Sequence, residues 1–210
     1  MSASRTALIV VDVQNDFLPG GALAVPAGDA VIDPVKRLLA DPRWGVVVFT
    51  QDWHPANHIS FASNHEGKAP FEDITVSYGP QKLWPDHCVA GSDGAKFPAS
   101  LEDTRANIVI RKGMNPAVDS YSAFVEGDGK TVTGLAGYLK ARGIEEVVVC
   151  GLALDFCVRF TAEDAVAAGF KTTIAEDAAA AIVPAENDNL FAKLADIGIR
   201  RSTVDAILRA

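Results

Sequence analysis

A carboxylate, an ammonium group and a thiol each stand at or just beyond the end of an apolar run in this sequence. They belong to Asp12, Lys112 and Cys157. A carboxyl group that is withdrawn from water at such a position has a raised pKa, which suits proton transfer. A nearby ammonium favours both a thiolate and an ionised carboxylate. The three residues therefore predict a cysteine nucleophile with Asp12 as its base.

The residues that follow Cys157 have the spacing of an amphipathic helix, with Val158, Ala162 and Ala165 along one side. At a helix N-terminus the dipole and the free backbone N–H groups stabilise a thiolate, so we expect a reactive thiol at Cys157. The same N–H groups can hold an oxyanion. Cys150 lies inside an apolar run instead, which predicts a small buried core residue.

A second set of polar residues has the composition of a metal site. Asp52 and His54 are two residues apart, so on an extended segment their side chains point to the same side. With His87 they supply two imidazoles and one carboxylate, a set that suits Zn, Fe or Mn and leaves coordination positions open. His58 and Ser60 are further candidate ligands, Ser60 either directly or through a water molecule.

The elements that must position these residues follow from hydrophobic patterning. Four runs rich in Val and Ile are apolar on consecutive residues, as expected of parallel strands covered on both faces, and a fifth run follows a helical segment. These runs are Ala7 to Val13, Val46 to Gln51, Asn107 to Lys112, Val147 to Leu152 and Lys171 to Ala175. Three helical faces lie between or after them: Val31, Val35, Leu38 and Leu39; Leu135, Tyr138 and Leu139; and Leu190, Phe191, Leu194 and Ile197. The alternation predicts an α/β fold, a three-layer α/β/α domain with a mostly parallel, Rossmann-like sheet that binds ligands at the carboxyl ends of its strands.

One stretch departs from this alternation. From Asp52 to about Arg105 there is little periodicity, yet the stretch contains all four histidines and two of the three tryptophans. A loop of this length inside a compact domain is usually functional, so we expect it to carry the metal site and a lid. We find no linker, and we expect one domain over residues 1–210.

Composition narrows the class of protein. The 19 Lys and Arg against 27 Asp and Glu give a net charge of −8, which argues against nucleic acid as a partner. No apolar run approaches the ~18 residues of a membrane span, and Asp12 interrupts the N-terminal run before it could form a signal peptide. Cys88, Cys150 and Cys157 show no CxxC spacing, which favours a reducing compartment, although Cys88 beside His87 is also a candidate for metal contact. We expect a soluble cytoplasmic protein with no membrane partner, and a homo-oligomer is left open.

Six segments of the chain resemble the nicotinamidases (pyrazinamidases) of the isochorismatase-like cysteine hydrolases. They are DVQNDF at 12–17, GGALAVP at 20–26, QDWHPANHISF at 51–61, LWPDHCV at 83–89, VDSYSAF at 118–124 and GLALDFCV at 151–158. The resemblance extends over about residues 6–180. DVQNDF is shared across the superfamily, whereas QDWH, WPDHC and DSYSAF together are typical of nicotinamidases.

This resemblance implies a reaction. The expected activity is hydrolysis of nicotinamide, and also of pyrazinamide, to the acid and ammonia through a cysteine thioester, with a role in NAD salvage. In the family pattern Asp12 is the base, Lys112 its cationic partner and Cys157 the nucleophile. Asp52, His54 and His87 match the metal ligands, with zinc as the expected ion and iron or manganese as alternatives.

The resemblance also implies how the substrate is held. The Leu152–Ala153 peptide matches a cis bond, with the N–H groups of Ala153 and Cys157 directed at the oxyanion. The residues that match the walls of the nicotinamide pocket are Phe17, Leu23, Trp84 and Tyr121, and the pyridine nitrogen would lie on the metal. Leu154 departs from the pattern, since relatives often have threonine there, and this leaves the fine substrate preference open.

The sequence leaves three alternatives open. The substrate could be another small amide or a ureido compound handled by a relative of the same superfamily. The metal could supply a hydroxide nucleophile, with Cys157 structural. The fold could also carry a catalytically silent protein that binds a metal or another subunit, because fold alone does not determine function.

Overall fold

A parallel sheet of six strands crosses the centre of the computed structural model, which describes residues 4–101 and 105–210. The strands are β1 (Thr6–Val11), β2 (Val46–Asp52), β3 (Asp73–Val76), β4 (Gly79–Lys82), β5 (Ile108–Lys112), β6 (Glu146–Leu152), β7 (Lys171–Ala180) and β8 (Arg200–Ser202). β3 and β4 form a separate antiparallel hairpin. The other six are ordered β5-β2-β1-β6-β7-β8, and every neighbouring pair is parallel.

Helices cover both faces of this sheet. They are α1 (Ile32–Ala40), α2 (Leu135–Ala141), α3 (Arg159–Ala167), α4 (Asn187–Asp196) and α5 (Val204–Arg209). One buried cluster joins α2, α3 and α4 to one face of the sheet through Leu139, Ala162 and Leu194. A second cluster joins α1 and α5 to the other face through Leu38 and Val204. The three-layer prediction is therefore confirmed.

The central strands are apolar on consecutive residues because they contribute to both clusters. Along β1, Ile9 and Val11 face the first cluster, and Leu8 and Val10 face the second. This is the alternation that a strand buried on both faces requires. No helix within residues 4–101 and 105–210 is long and apolar enough to cross a membrane.

Several element boundaries differ from the prediction. β1 ends at Val11 rather than Val13, because Asp12 adopts a left-handed conformation with φ of 46° and turns the chain. β7 continues to Ala180 instead of stopping at Ala175. Ile197 was wrongly placed on the buried face of the last predicted helix: it follows the end of α4 and is 46% exposed.

The long stretch after β2 also contains structure that was not predicted. The β3–β4 hairpin lies within it, and its strands combine glycine, proline and charged residues that do not alternate clearly. Residues 102–104 near the predicted end of this stretch, and residues 1–3 of the predicted domain, lie outside the described residues.

The strand order identifies a crevice at the carboxyl ends of β1 and β6. From β1 the chain moves outward through β2 to β5, and then starts again on the other side of β1 with β6. The carboxyl ends of β1 and β6 therefore flank the crevice at which the direction of winding changes. Ligands bind at such crevices in open parallel sheets.

Candidate active site

Four strand ends bring their polar side chains together at this crevice. The Nζ atom of Lys112, at the end of β5, lies 2.7 Å from Oδ2 of Asp12 and 3.4 Å from Sγ of Cys157. It also bonds Oδ1 of Asp52, at the end of β2, and donates to the carbonyl oxygen of Ser120 at 3.0 Å. Ligand atoms of Asp12, Asp52 and Cys157 lie within 4.8 Å of one another. We call Asp12, Lys112 and Cys157 the thiol cluster.

Lys112 is a fully buried cation rather than a solvated lysine at the sheet edge. Burial alone would lower the pKa of its ammonium, but Asp12, Asp52 and Cys157 outweigh that effect and hold the pKa well above its usual value. Lys112 is therefore charged at every physiological pH. Its one positive charge is shared between two carboxylates.

The two carboxylates respond differently to their surroundings. Burial raises the pKa of Asp12, and the attraction of Lys112 offsets only part of this rise. Burial also acts on Asp52, but Lys112 and then His54 outweigh it and hold the pKa of Asp52 well below its usual range. Asp12 is thus the carboxylate that can accept a proton, as the sequence predicts for a buried strand end.

Cys157 lies in a single π-helical turn, Leu154–Val158, that leads into α3. Burial raises the pKa of its thiol well above the usual value, and Lys112 compensates for only part of that. The raised pKa means that the thiol is protonated in the resting protein, although it lies at the start of a helix. The thiol needs a base, and ligand atoms of Asp12 and Cys157 lie within 4.8 Å of each other.

The backbone around Cys157 agrees with the predicted cis bond, since the Leu152–Ala153 peptide is cis. The carbonyl oxygen of Ala153 accepts hydrogen bonds from the N–H groups of Phe156 and Val158, each at 3.1 Å. Neither bond uses the Cys157 N–H that lies between them. Leu154 is buried in the apolar cluster that also contains Val158, so its side chain packs in the core.

The second predicted set also comes together. The Nε2 atoms of His54 and His87 lie 3.7 and 3.8 Å from Oδ2 of Asp52. Donor atoms that surround one ion at about 2.1 Å each lie roughly 3 to 4 Å apart, so these distances fit a divalent metal. The Nδ1 atoms are 2.9 Å from the Gly113 carbonyl and 2.8 Å from the Pro85 carbonyl, which fixes each Nδ1 as a donor and leaves Nε2 as a free ligand atom. We call Asp52, His54 and His87 the histidine cluster.

His58 and Ser60 lie fully buried beside the histidine cluster. The rings of His58 and His54 are 4.2 Å apart, and Nδ1 of His58 is 2.7 Å from Oγ of Ser60. Burial and then His54 lower the pKa of His58 to about 4, so the ring is neutral. Its Nε2 faces the carbonyl of Val118 at 3.3 Å, which makes Nε2 the donor and Nδ1 the acceptor of the Ser60 hydroxyl proton. The lone pairs of Ser60 are thereby left available for a metal or a water molecule.

Cys88 takes no part in these clusters. Its thiol is buried 4.0 Å from the Gly94 carbonyl, and Cys88 belongs to none of the potential metal-binding groups found among the described residues. Cys150 is fully buried in β6, as predicted.

The predicted pocket residues contact the histidine cluster or one another. The ring of Phe17 is 5.5 Å from that of His87, and Nε1 of Trp84 donates to the Tyr121 hydroxyl at 3.0 Å. Leu23 belongs to the same buried cluster as Phe17 and Trp84. Phe17 thus lies against the histidine cluster, and Trp84 and Tyr121 pack against each other as a second aromatic group. Aromatic side chains of this kind suit a planar aromatic ring.

Comparison with known proteins identifies the family of this chain. The model of the isochorismatase domain matches residues 6–206. The chain belongs to the isochorismatase family. Within that family, the nicotinamidase of Acinetobacter baylyi is 53% identical over 180 residues, which are 86% of this chain and 83% of the relative. A solved nicotinamidase/pyrazinamidase of Acinetobacter baumannii is 48% identical, covers 99% of this chain and 100% of its own, and has a TM-score of 0.93.

A third relative concerns the metal. The pyrazinamidase of Pyrococcus horikoshii, solved in complex with zinc, is 36% identical, covers 95% of this chain and 99% of its own, and has a TM-score of 0.78. Together with the donor geometry of the histidine cluster, this isochorismatase-family relative supports a divalent metal site here.

Sequence reasoning missed several residues of this isochorismatase-family site. Gln14 bonds both backbone groups of Asp52, with its Oε1 accepting from N and its Nε2 donating to O, each at 2.8 Å. Gly113 leaves room for the His54 ring, because a Cβ there would lie 2.3 Å from Cε1. Phe156 packs 4.9 Å from Trp84. Strand periodicity could not place Gln14, because β1 ends at Val11 and the chain turns at Asp12.

Proposed function

We propose that this protein is a nicotinamidase that hydrolyses nicotinamide to nicotinate and ammonia, and pyrazinamide to the corresponding acid. The observation that supports this most directly is the shared buried contact of Lys112 with Asp12, Asp52 and Cys157. It couples a nucleophile and base to a metal-binding cluster. The assignment of nicotinamide as the substrate rests on the relatives that are named nicotinamidase.

In the first half of the reaction, Asp12 takes the proton from the Cys157 thiol. The sulfur electron pair then forms a bond to the carboxamide carbon, and the electrons of the C=O double bond move to its oxygen. When the tetrahedral intermediate collapses, the C–N bond breaks and Asp12 returns the proton to nitrogen, which leaves as ammonia. A thioester on Cys157 remains.

Water completes the cycle. Asp12 takes a proton from the attacking water, whose oxygen bonds to the thioester carbon. Collapse breaks the C–S bond, and Asp12 returns the proton to sulfur, so the acid is released and the enzyme is restored. Lys112 stabilises negative charge on the sulfur and on Asp12 throughout.

The backbone around Cys157 serves the developing oxyanion. We assign the N–H groups of Ala153 and Cys157 to this role. The Ala153 carbonyl accepts from the N–H groups of Phe156 and Val158 and not from the Cys157 N–H between them. Removing one donor of this kind typically costs about 3 kcal/mol of transition-state stabilisation.

Phe17, Leu23, Trp84 and Tyr121 would hold the pyridine ring, which turns binding energy into orientation of the carboxamide at sulfur.

Asp52, His54 and His87 would hold the metal, with Ser60 as a further ligand or as the acceptor of a bound water. We propose zinc, because two imidazoles and one carboxylate with open positions form a usual zinc set and the Pyrococcus horikoshii relative was solved with zinc. When bound, the ion would offer an open coordination position to the pyridine nitrogen. Iron and manganese accept the same ligands.

The cellular setting follows from the chemistry. Three free cysteines, one of them the nucleophile, need a reducing compartment, so we propose a cytoplasmic enzyme that acts as one domain over residues 1–210. Its product would enter NAD salvage.

Release of ammonia from nicotinamide tests the proposal directly. We expect turnover of nicotinamide and pyrazinamide to exceed turnover of benzamide, which has the same carboxamide but no ring nitrogen. Equal turnover of nicotinamide and benzamide would remove the nicotinamide assignment and favour another small amide or ureido substrate. If none of these amides released ammonia, the proposed amidase activity would be wrong.

A further inference from the structure

Thr50 is a fully buried residue at the centre of the site. It lies on β2, two residues before Asp52, and therefore on the same face of the strand. Its Oγ1 is 2.5 Å from Oδ1 of Asp12 and accepts a hydrogen bond from the Asp12 backbone N–H at 3.1 Å. One hydroxyl thus contacts the backbone and the side chain of the same residue.

The Thr50 hydroxyl is the donor in its contact with the Asp12 side chain. The Asp12 N–H can only donate, so it occupies a lone pair of Thr50 Oγ1. An ionised carboxylate can only accept, so the Thr50 hydroxyl must donate its proton to Oδ1. Because both contacts converge on one atom, they close a ring that fixes the rotation of the Asp12 carboxylate. The branched Cβ of threonine adds a stiff χ1 to this ring.

The two oxygens of Asp12 are therefore not equivalent. Oδ1 is engaged by Thr50 and could take a proton only if that bond were broken. Oδ2 is fully buried, has the Lys112 ammonium as its charged partner at 2.7 Å, and within the described residues accepts no hydrogen bond from a hydroxyl or a backbone N–H. The same Nζ lies 3.4 Å from Sγ of Cys157, so Oδ2 and the thiol share one neighbour.

We propose that Thr50 is a positioning residue for the general base, and that its hydroxyl occupies Oδ1 of Asp12 so that Oδ2 alone exchanges the proton with Cys157. The inference rests on the proposed function, since it refines the role of Asp12 within it. In the acylation step the S–H bond breaks, the proton moves to Oδ2, and the sulfur pair attacks the carboxamide carbon. Thr50 neither gains nor loses its own proton.

The test compares Thr50→Val, which keeps the shape and removes the hydroxyl, with Thr50→Ser, which keeps the hydroxyl and removes a methyl group. We expect kcat for ammonia release from nicotinamide to fall about 10- to 100-fold in Thr50→Val, since a misplaced catalytic group costs up to about 100-fold, while KM changes little. Thr50→Ser should restore kcat to within about threefold of the wild type. Thr50→Ala removes the same hydroxyl and replaces Thr50→Val if the latter does not fold.

The matched control is Thr172→Val. Thr172 is also a buried threonine in a parallel strand, and its hydroxyl bonds the Phe170 carbonyl at 3.2 Å. It lies near the start of β7, at the opposite end of the sheet from the strand ends that carry the site. It should lose stability as Thr50→Val does and keep its kcat. Wild-type kcat in Thr50→Val, or equal losses in Thr50→Ser and Thr50→Val, would overturn the proposal.

Two further measurements separate this role from distortion of β2 and from failure of the proposed function. Metal content by elemental analysis should be unchanged in Thr50→Val, and loss of metal would mean that Thr50 acts by shaping Asp52 instead. Alkylation of Cys157 by iodoacetamide needs no substrate, and we expect it to be about tenfold slower in Thr50→Val than in Thr50→Ser. This rate decides the role of Thr50 even if the wild type releases no ammonia from nicotinamide, and equal rates would overturn it.

Discussion

The thiol cluster and the histidine cluster each contain one buried aspartate, and both aspartates contact the same lysine. Their pKa values nevertheless move in opposite directions. For Asp12 the cost of burial exceeds the attraction of Lys112, whereas Asp52 has His54 as an additional neighbour and stays ionised. Identical residues thus acquire different roles, a proton acceptor and a metal ligand, because their neighbours differ.

The largest expected effect comes from removing the nucleophile of the thiol cluster alone. Cys157→Ala should reduce ammonia release from nicotinamide by at least about 10⁴-fold, because the covalent route is lost. The histidine cluster is untouched, so metal content by elemental analysis should stay at the wild-type level. Cys150→Ala, which removes a buried thiol from β6, is the control and should keep its activity. Near-normal turnover by Cys157→Ala would instead support a metal-bound hydroxide as nucleophile.

Removing the shared cation should damage both clusters at once. Lys112→Met leaves two buried carboxylates without their ammonium, and we expect the free energy of unfolding to fall by about 3 to 5 kcal/mol in urea titrations. Lys171→Met is the matched control. Lys171 pairs with Glu146 but is 70% exposed, so its loss should cost less than about 1 kcal/mol. Equal losses for the two variants would show that Lys112 is not the common support of the two clusters.

Breaking the histidine cluster alone should leave the thiol chemistry intact. His87→Ala should lower metal affinity by more than about 100-fold, since even the outer partners of metal ligands are worth about 10- to 100-fold. KM for nicotinamide should rise, while alkylation of Cys157 by iodoacetamide should keep its wild-type rate. His65→Ala, whose imidazole bonds the Ile59 carbonyl at 2.7 Å, is the control and should bind metal normally. A large change in Cys157 alkylation in His87→Ala would contradict the separation of the two clusters.

The smallest expected effect is the response to acid, which should protonate Asp12 before Asp52. Asp12 must be ionised to act as a base, and its pKa is raised above 3.8, so kcat/KM should fall about tenfold per pH unit below that raised value. The pKa of Asp52 is lowered, so Asp52 stays charged as Asp12 becomes protonated. Metal binding also requires neutral imidazoles, and the pKa of His54 is raised by Asp52, so the measurement that isolates Asp12 is Cys157 alkylation by iodoacetamide in metal-free protein. This alkylation rate should fall as the pH drops through the raised pKa of Asp12, while Asp52 stays charged. A rate that does not change over that range would show that Asp12 is not the base.

Much of the sheet could be predicted because the central strands are buried on both faces, and consecutive Val and Ile residues report that burial directly. β8 and the β3–β4 hairpin could not. β8 is a short strand of Arg200 to Ser202 at the margin of the sheet, where few apolar residues are needed. Ile197 misled the prediction because helical spacing continues for one residue after α4 has ended.

Within the site, the residues at strand ends could be predicted because parallel strands bring those ends to one edge. Partners contributed from elsewhere in the chain could not be predicted. Nothing near Thr50 in the sequence shows that its hydroxyl meets Asp12, 38 residues away. The balance between burial and attraction at Cys157 also depends on all its neighbours, so its raised pKa required the folded arrangement.

The lysine shared by both clusters sits on β5, the outermost strand at one margin of the sheet. Peripheral strands open locally at a lower free energy than central ones. Transient opening of β5 would remove the Lys112 ammonium from both clusters while β1 and β6 remain folded. The enzyme would then lose activity without global unfolding. On heating, activity should therefore be lost at a lower temperature than the cooperative unfolding transition. Faster hydrogen exchange at the Ile110 amide should reveal this loss before any change in Tm.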